Sequence, residues 1–395
     1  MTQRYLFTSD SVTDGHPDRL CDSISDAIVD KFLIQDPYSH IVTECALSKN
    51  LIFIAARFAS QATVDIPEVA RQVVSEVAYR KQDFNADECT VVTSLLAQPE
   101  TSRYEWDERE LSDKELDRIV VRNQTTQFGF ACTHTPELMP YPMAMANLLA
   151  RQLRQVRLSG RLAYLSPDAT TQVGVEFEQR RPVRIHSITL IVGYVGDDHI
   201  DAPGCRRDLL REVIDPVFAT STLQPDADTD IHINPRGLFV RNGPAAHSGM
   251  TGRKTTSDSY GGYARHSGSA LSGKDPCRID RVAAYAARYA ARNVVAAGLA
   301  EECEVQLSYT INQARPVSVR VLTYGTGTVD DAIIQARVEA AFDFRLGVII
   351  RDFNLRHLPS QHRSGFYRHL PVHGHHGASF TELPWERSDR VDLLG

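Results

Sequence analysis

Gly268-Ser-Ala-Leu-Ser-Gly-Lys274 and the run behind it, DPCRIDRVAAYAARYAARNVVAAGLAEECEVQLSY over 275–309, carry the reading of this chain. The alanine-rich part predicts a helix over about 279–298, opened by Asp280 and closed at Gly298. Strands near 304–311 and 317–324 follow it, then a helix at 329–342. Working outward, the same order of elements recurs upstream. Leu20, Ile24, Ile28 and Phe32, four apart, mark one face of a helix over 19–34. A short strand, YLFTS, precedes it. Strands at 41–48 and 51–58 turn near Asn50. Asp65, Pro67 and Glu68 open a helix lined by Val69, Val73, Val74 and Val77, and a strand covers 89–97. Further on, Pro142 opens a helix through Val156. Strands at 172–177 and 183–192 follow, then a helix through Leu209, Val213 and Val217, and a strand at 230–234. Three such units of about 110–130 residues predict an α+β chain with internal structural repetition.

The chain has 395 residues, 42% hydrophobic and 24% charged, so it can bury a large core and is not a disordered sequence. A net charge of −7 excludes a broadly basic nucleic-acid binder. No apolar run is long enough to cross a membrane, and the first residues, MTQRYLFTSDS, lack a signal-peptide core. Seven scattered cysteines without a CxxC pair predict buried, reduced thiols and a cytoplasmic protein.

Two segments depart from this periodicity. Residues 98–126 are densely charged, as in a solvated connection or a mobile lid. Residues 237–273 hold eight glycines, with Arg253, Lys254, Arg265 and His266 among them. The 268–274 heptad spells GxxxxGK, but Asp275 stands where a nucleotide-binding P-loop has Ser or Thr, and no apolar strand precedes it. Its physical content survives the failed match. Glycines let backbone N–H groups face an anion. With Arg253, Lys254 and Arg278 close in sequence, Lys274 points to a polyphosphate clamp. Asp14-Gly-His16-Pro-Asp18-Arg19 puts His16 at the mouth of the first helix, where anions are favoured. Asp18 and Asp280 are candidates for Mg²⁺. No Cys/His cluster has zinc spacing, and His373-Gly-His375-His376 reads as a solvated His-rich turn.

At this point the motifs resemble a known family. GHPDR at 15–19, SDAIVDKFLIQDP at 25–37, GMTGRK at 249–254, YGGYARHSGSALSGKDPCRIDR at 260–281 and LPWE at 383–386 are similar to S-adenosylmethionine synthetases. The resemblance runs over almost the whole chain. It implies three similar domains about a pseudo-threefold axis: 1–101, a charged active-site lid at 102–126, 127–236, and 237–395. It implies a homodimer, in some cases a tetramer, with sites between subunits, and no nucleic-acid or membrane partner. It implies transfer of the adenosyl group of ATP to methionine, with triphosphate expelled and then cleaved. By position, the resemblance sets His16 beside the breaking C5′–O bond and Arg253, Lys254 and Lys274 on the phosphates. Asp18 and Asp280 hold Mg²⁺, and Glu44 holds K⁺. Phe239, Asp168, Ala270, Ile311 and Thr170 border the nucleotide, and Gln98 opens the lid.

Departures from the family pattern gather around the acceptor. Thr170 replaces a triphosphate-contacting lysine. Arg57, Asn123 and His247 replace acidic positions, and Arg278 replaces a lysine facing the methionine carboxylate. An Arg in place of a Glu repels an ammonium. These changes predict weak methionine binding and an acceptor that carries a carboxylate but presents no ammonium there.

Overall fold

The computed structural model describes residues 4–195, 201–237, 242–377 and 382–395. His16 and Pro17 start α1 (Pro17–Gln35), preceded by β1 (Arg4–Val12). β2 (His40–Ser48) and β3 (Leu51–Ala59) form an antiparallel hairpin, and α2 (Ile66–Val77) follows with Asp65 accepting the Glu68 N–H. β4 (Thr90–Ala97) then lies parallel to β3, the direction an intervening helix permits. Next come the single turn α3 (Asp113–Leu116), β5 (Thr125–Cys132) and α4 (Tyr141–Leu158). β6 (Leu165–Glu178) and β7 (Arg181–Tyr194) are longer than their apolar runs predict. α5 (Ala202–Leu209), a π turn and α6 (Asp215–Phe218) make one winding segment before β8 (Asp230–Ile233). β9 (Gly249–Met250), α7 (Thr255–Asp258), α8 (Ile279–Ala296), β10 (Glu302–Tyr309), β11 (Ser318–Leu322) and α9 (Asp331–Ala341) complete the regular elements used below.

Among the described residues the strands form three sheets, ordered β4-β3-β2-β9, β1-β6-β7-β8 and β11-β10-β5. The α+β expectation with three units holds. Each sheet, however, takes one strand from a distant part of the chain: β9 joins the first, β1 the second and β5 the third. α1 and α2 back the first sheet, α4 the second and α8 the third. The alanines of α8 have a steric cause. A Cβ on Gly129 of β5 would lie 1.9 Å from the Ala287 carbonyl carbon, so helix and strand touch backbone to backbone. One core joins Leu20, Ile24 and Ile28 to Ala283, Ala287 and Trp385, and a second fills the central unit around Val173, Ile188 and Leu209. All seven cysteines are free and buried.

Two readings of the sequence need correction. The charged 98–126 segment is not solvated throughout. Glu108 is fully buried against Arg356, 3.1 Å away, and that guanidinium lies among the rings of Tyr38, Tyr104 and Trp106. Arg103 makes two 2.7 Å bonds to Asp36, and Leu116, Ile119 and Val121 are buried. The C-terminal His turn is not solvated either. His376 stacks on Tyr260, His375 bonds the Tyr285 hydroxyl at 2.9 Å, and burial pushes the His376 imidazole down to about 3. Charge density along the sequence does not reveal that each of these groups has a partner elsewhere.

Candidate active site

α1 organises the site through a ladder of aspartates four residues apart, on one face of the helix. Asp18 accepts the Met250 N–H at 3.0 Å and Asp22 the Gly252 N–H at 2.8 Å. Asp26 accepts the Gly273 N–H at 2.8 Å, and Asp30 those of Tyr367 and Arg368, both at 3.0 Å. Three C-terminal segments are thereby fixed to one N-terminal helix. Gly273 is required there: its φ is +77°, and a Cβ would fall 2.1 Å from the Thr43 carbonyl oxygen. Arg281, wholly buried, makes 2.7 and 2.9 Å bonds to Asp26 and donates to the Lys274 carbonyl at 2.9 Å.

A first cluster forms at the N-terminus of α1. His16 caps the helix, and its Nδ1 accepts the Asp18 N–H at 3.2 Å. The hydrogen-bond pattern assigns the neutral tautomer with the proton on Nε2. Burial, only partly opposed by Asp168, pushes the His16 imidazole down to about 4. Lys254 Nζ lies 2.8 Å and Arg253 3.7 Å from Asp18. Burial works against the Asp18 carboxylate, but Lys254 and the Met250 N–H outweigh it, and its carboxyl sits below the ordinary range. Behind this cluster, buried Arg19 bonds Asp258 and lies 3.6 Å from Asp22. Opposite, His247 Nε2 lies 3.1 Å from Asp168 Oδ2, which also accepts the Gly243 N–H at 2.7 Å. The bond to Asp168 pushes the His247 imidazole up from its ordinary value. The His16 and His247 rings are 4.9 Å apart.

A second cluster surrounds Asp280 at the start of α8. Lys274 Nζ is 3.4 Å from its carboxylate, and Asn123 Nδ2 is 3.2 and 3.3 Å from the two oxygens. Burial lowers the Lys274 ammonium below its ordinary value, against the pull of Asp280. Arg278 is the residue before α8, and its Nε is buried without a partner. Nearby His40, also buried, is held below its ordinary value by burial and by Arg122, Arg278 and Arg57, with Asp275 opposing. Sequence reasoning did not single out His40 or Arg122. The aspartate ladder was legible as i, i+4 spacing but was overlooked beside the apolar face.

The other expected residues are spread more widely. Glu44 and Arg57 are exposed on the face of the first sheet turned away from α1. Gln98 continues that edge, its N–H donating to the Phe58 carbonyl at 2.7 Å, and its side-chain oxygen is buried without a partner. Ala270 packs against Gly252, Thr170 is half-buried on β6, and Ile311 is 56% exposed after β10. Phe239 lies outside the described residues. The three altered acceptor positions do not meet within one chain: His247 is tied to Asp168, Asn123 to Asp280, and Arg57 lies on the outer sheet face. A cavity of about 280 Å³ lined by Tyr289, Phe342 and Phe353 shares none of these residues.

Fold and clusters define an α+β protein that concentrates cations and buried carboxylates at two helix N-termini. Family comparison makes the class specific. Residues 4–100, 118–239 and 241–387 match the N-terminal, central and C-terminal domains of S-adenosylmethionine synthetase. The S-adenosylmethionine synthase of Trichormus variabilis is 45% identical over 408 aligned positions, covering 100% of this chain and 97% of that protein. Those of Synechococcus elongatus and a Picosynechococcus species are 44% and 46% identical over the full chain and 98% of their own length. The chain belongs to the S-adenosylmethionine synthetase family.

Proposed function

We propose that this protein is an ATP-dependent methionine adenosyltransferase; the S-adenosylmethionine synthases similar to it over the full chain favour methionine over the ammonium-free acceptor expected from Arg57, Asn123 and His247. The methionine sulfur attacks C5′ of ATP, the C5′–O bond breaks, and triphosphate leaves, to be cleaved to pyrophosphate and phosphate. The observation that carries this reading is the neutral, half-buried His16 at the mouth of α1, beside Lys254 and Arg253 on Asp18. A thioether has no proton to lose, so the reaction needs no general base. It needs fixed positive charge and hydrogen-bond donors where the leaving group gains charge. The Nε2–H of His16 is a donor of that kind, neutral at working pH. Arg253, Lys254 and Lys274 hold the triphosphate, and Asp168, Thr170, Phe239, Ala270 and Ile311 border the nucleoside. Gln98, Asn123, Arg57, His247 and Arg278 face the acceptor.

Asp18 and Asp280 fit Mg²⁺. Each is a buried, hard-oxygen donor facing an ammonium, and Mg²⁺ is commonly bound by one or two carboxylates together with substrate phosphates. Bound there, Mg²⁺ supplies charge for the leaving triphosphate. Glu44 offers an exposed carboxylate for K⁺. A homodimer is supported by the outer face of the first sheet, where Leu51, Phe53, Val92, Leu96 and Met250 are 46, 42, 44, 59 and 51% exposed. Glu44 and Arg57 share that face, so a second copy seated on it adds residues to the site. No described helix is long and apolar enough to cross a membrane, and seven free thiols suit the reducing cytoplasm.

The test is incubation with ATP, Mg²⁺ and K⁺, with and without methionine, followed by mass spectrometry and phosphate analysis. S-adenosylmethionine, pyrophosphate and phosphate in equal amounts support the proposal. ATP left intact in the presence of methionine overturns it.

A further inference from the structure

His16, Asp168 and His247 each offer a ligand atom, and these atoms all lie within 4.8 Å of one another. We infer that they form a site for a borderline divalent transition-metal ion of the Zn²⁺ or Co²⁺ type, with a donor set that does not include the Mg²⁺ carboxylates Asp18 and Asp280. The donor set is two imidazole nitrogens and one carboxylate oxygen. Such a set favours Zn²⁺, Co²⁺ and Ni²⁺ over Mg²⁺, which takes oxygen ligands and dehydrates reluctantly. Three protein ligands leave a position open for water or for an atom of a bound molecule.

The geometry is close to what such an ion needs. Zinc bonds of about 2.0–2.2 Å to nitrogen and oxygen place tetrahedral ligand atoms roughly 3.3–3.5 Å apart. His247 Nε2 and Asp168 Oδ2 are already 3.1 Å apart, and the imidazoles are 4.9 Å apart, tilted by 55°. His247 has room to adjust towards the ion, being 39% exposed and following the short turn Gly243–Ala245. Partners outside the triad keep the other ligands in place. Asp168 is held by the Gly243 N–H at 2.7 Å. With the ion on Nε2 of His16, the ring proton moves to Nδ1, which gives up the 3.2 Å bond from the Asp18 N–H and has the Asp18 carboxylate, 3.8 Å away, to turn towards.

His247 makes the site, because the family pattern has an aspartate there. An ion in this triad occupies the ground that adenosyl transfer gives to the nucleoside beside Asp168 and the leaving group beside His16. Zn²⁺ therefore excludes ATP, and that consequence alone rests on the adenosyl-transfer reading.

The test uses untagged, chelator-treated full-length protein in excess Mg²⁺, titrated with Co²⁺ alone. One equivalent per chain, giving the visible absorption of low-coordinate Co²⁺ and displaced by Zn²⁺, supports the site. His247→Ala and His247→Asp should each weaken Co²⁺ binding by more than the roughly 10–100-fold that a lost outer partner costs. His232→Ala, an exposed residue on β8, should leave it unchanged. Urea unfolding midpoints equal to the parent's identify the loss as local. Sub-stoichiometric Co²⁺ binding, or equal affinity in the parent and both His247 variants, overturns the site. Co²⁺ affinity unaffected by saturating ATP overturns its placement. Absent adenosyl transfer with intact Co²⁺ binding overturns the proposed function and leaves the metal site standing.

Discussion

Asp26 tests how the ladder on α1 positions the phosphate-binding loop. Its carboxylate, wholly buried, takes both Arg281 bonds and the Gly273 N–H, and Arg281 in turn holds the Lys274 carbonyl. In Asp26→Ala, a guanidinium with no exposed surface is left with the Tyr285 hydroxyl, the Lys274 carbonyl and the Tyr367 ring, and no directly bonded carboxylate among the described residues. Removing one partner of a buried ion pair costs about 3–5 kcal/mol, because the other charge stays buried and unmatched. The lost Gly273 bond adds about 1 kcal/mol. Urea unfolding at fixed protomer concentration should show this loss. Asp26→Ala/Arg281→Met removes the orphan charge and should recover about 1–4 kcal/mol. It does not restore the anchors of Gly273 and Lys274. Turnover per folded chain should therefore stay at least tenfold down in both variants. A loss under about 1 kcal/mol for Asp26→Ala would refute the electrostatic argument. Turnover restored in the double variant would refute the positioning argument.

Lys274→Ala and Arg253→Ala should each lower turnover by two or more orders of magnitude. Arg265→Ala removes the partner of buried Glu304, 2.8 Å away, and should lower the unfolding midpoint more than turnover; equal turnover losses in all three would refute the clamp. The triple variant Arg57→Glu, Asn123→Asp, His247→Asp should lower the KM for methionine roughly 10–150-fold, the worth of a charge-assisted contact of about 1.5–3 kcal/mol; an unchanged KM removes these residues from the acceptor site. Burial holds His376 at about 3, so the unfolded chain binds a proton there that the folded one refuses as pH falls below about 6.5. Its share of stability is present above that pH and lost on acidification, about 3 kcal/mol by pH 4. Asp30, raised to about 7 by burial, acts in the opposite direction, so the measured quantity is the difference between the parent and His376→Gln. Parallel curves of unfolding free energy against pH would refute the assignment.

The sequence by itself determined the local elements, because their signals are local. Leu20, Ile24, Ile28 and Phe32 repeat at helical spacing, Asp65 caps α2, and the alanines of 283–297 have little choice but helix. It also marked His16, Asp18, Arg253, Lys254, Lys274 and Asp280 as chemically related, through charge beside glycine and through motif resemblance. Only the tertiary structure decided which residues meet. β1, β5 and β9 each complete a sheet far away in sequence, and no periodicity within those short strands names the partner. Asp22, Asp26 and Asp30 read as ordinary helix charges until their backbone partners at Gly252, Gly273 and Tyr367 are known. The charged 98–126 segment and the C-terminal histidines looked solvated because composition registers polarity, whereas burial depends on a partner such as Arg356 or Tyr260. The approach of His247 to His16 and Asp168 follows from three separate segments packing around the mouth of α1. A substitution that reads as a lost aspartate in one dimension becomes, in three, a third ligand.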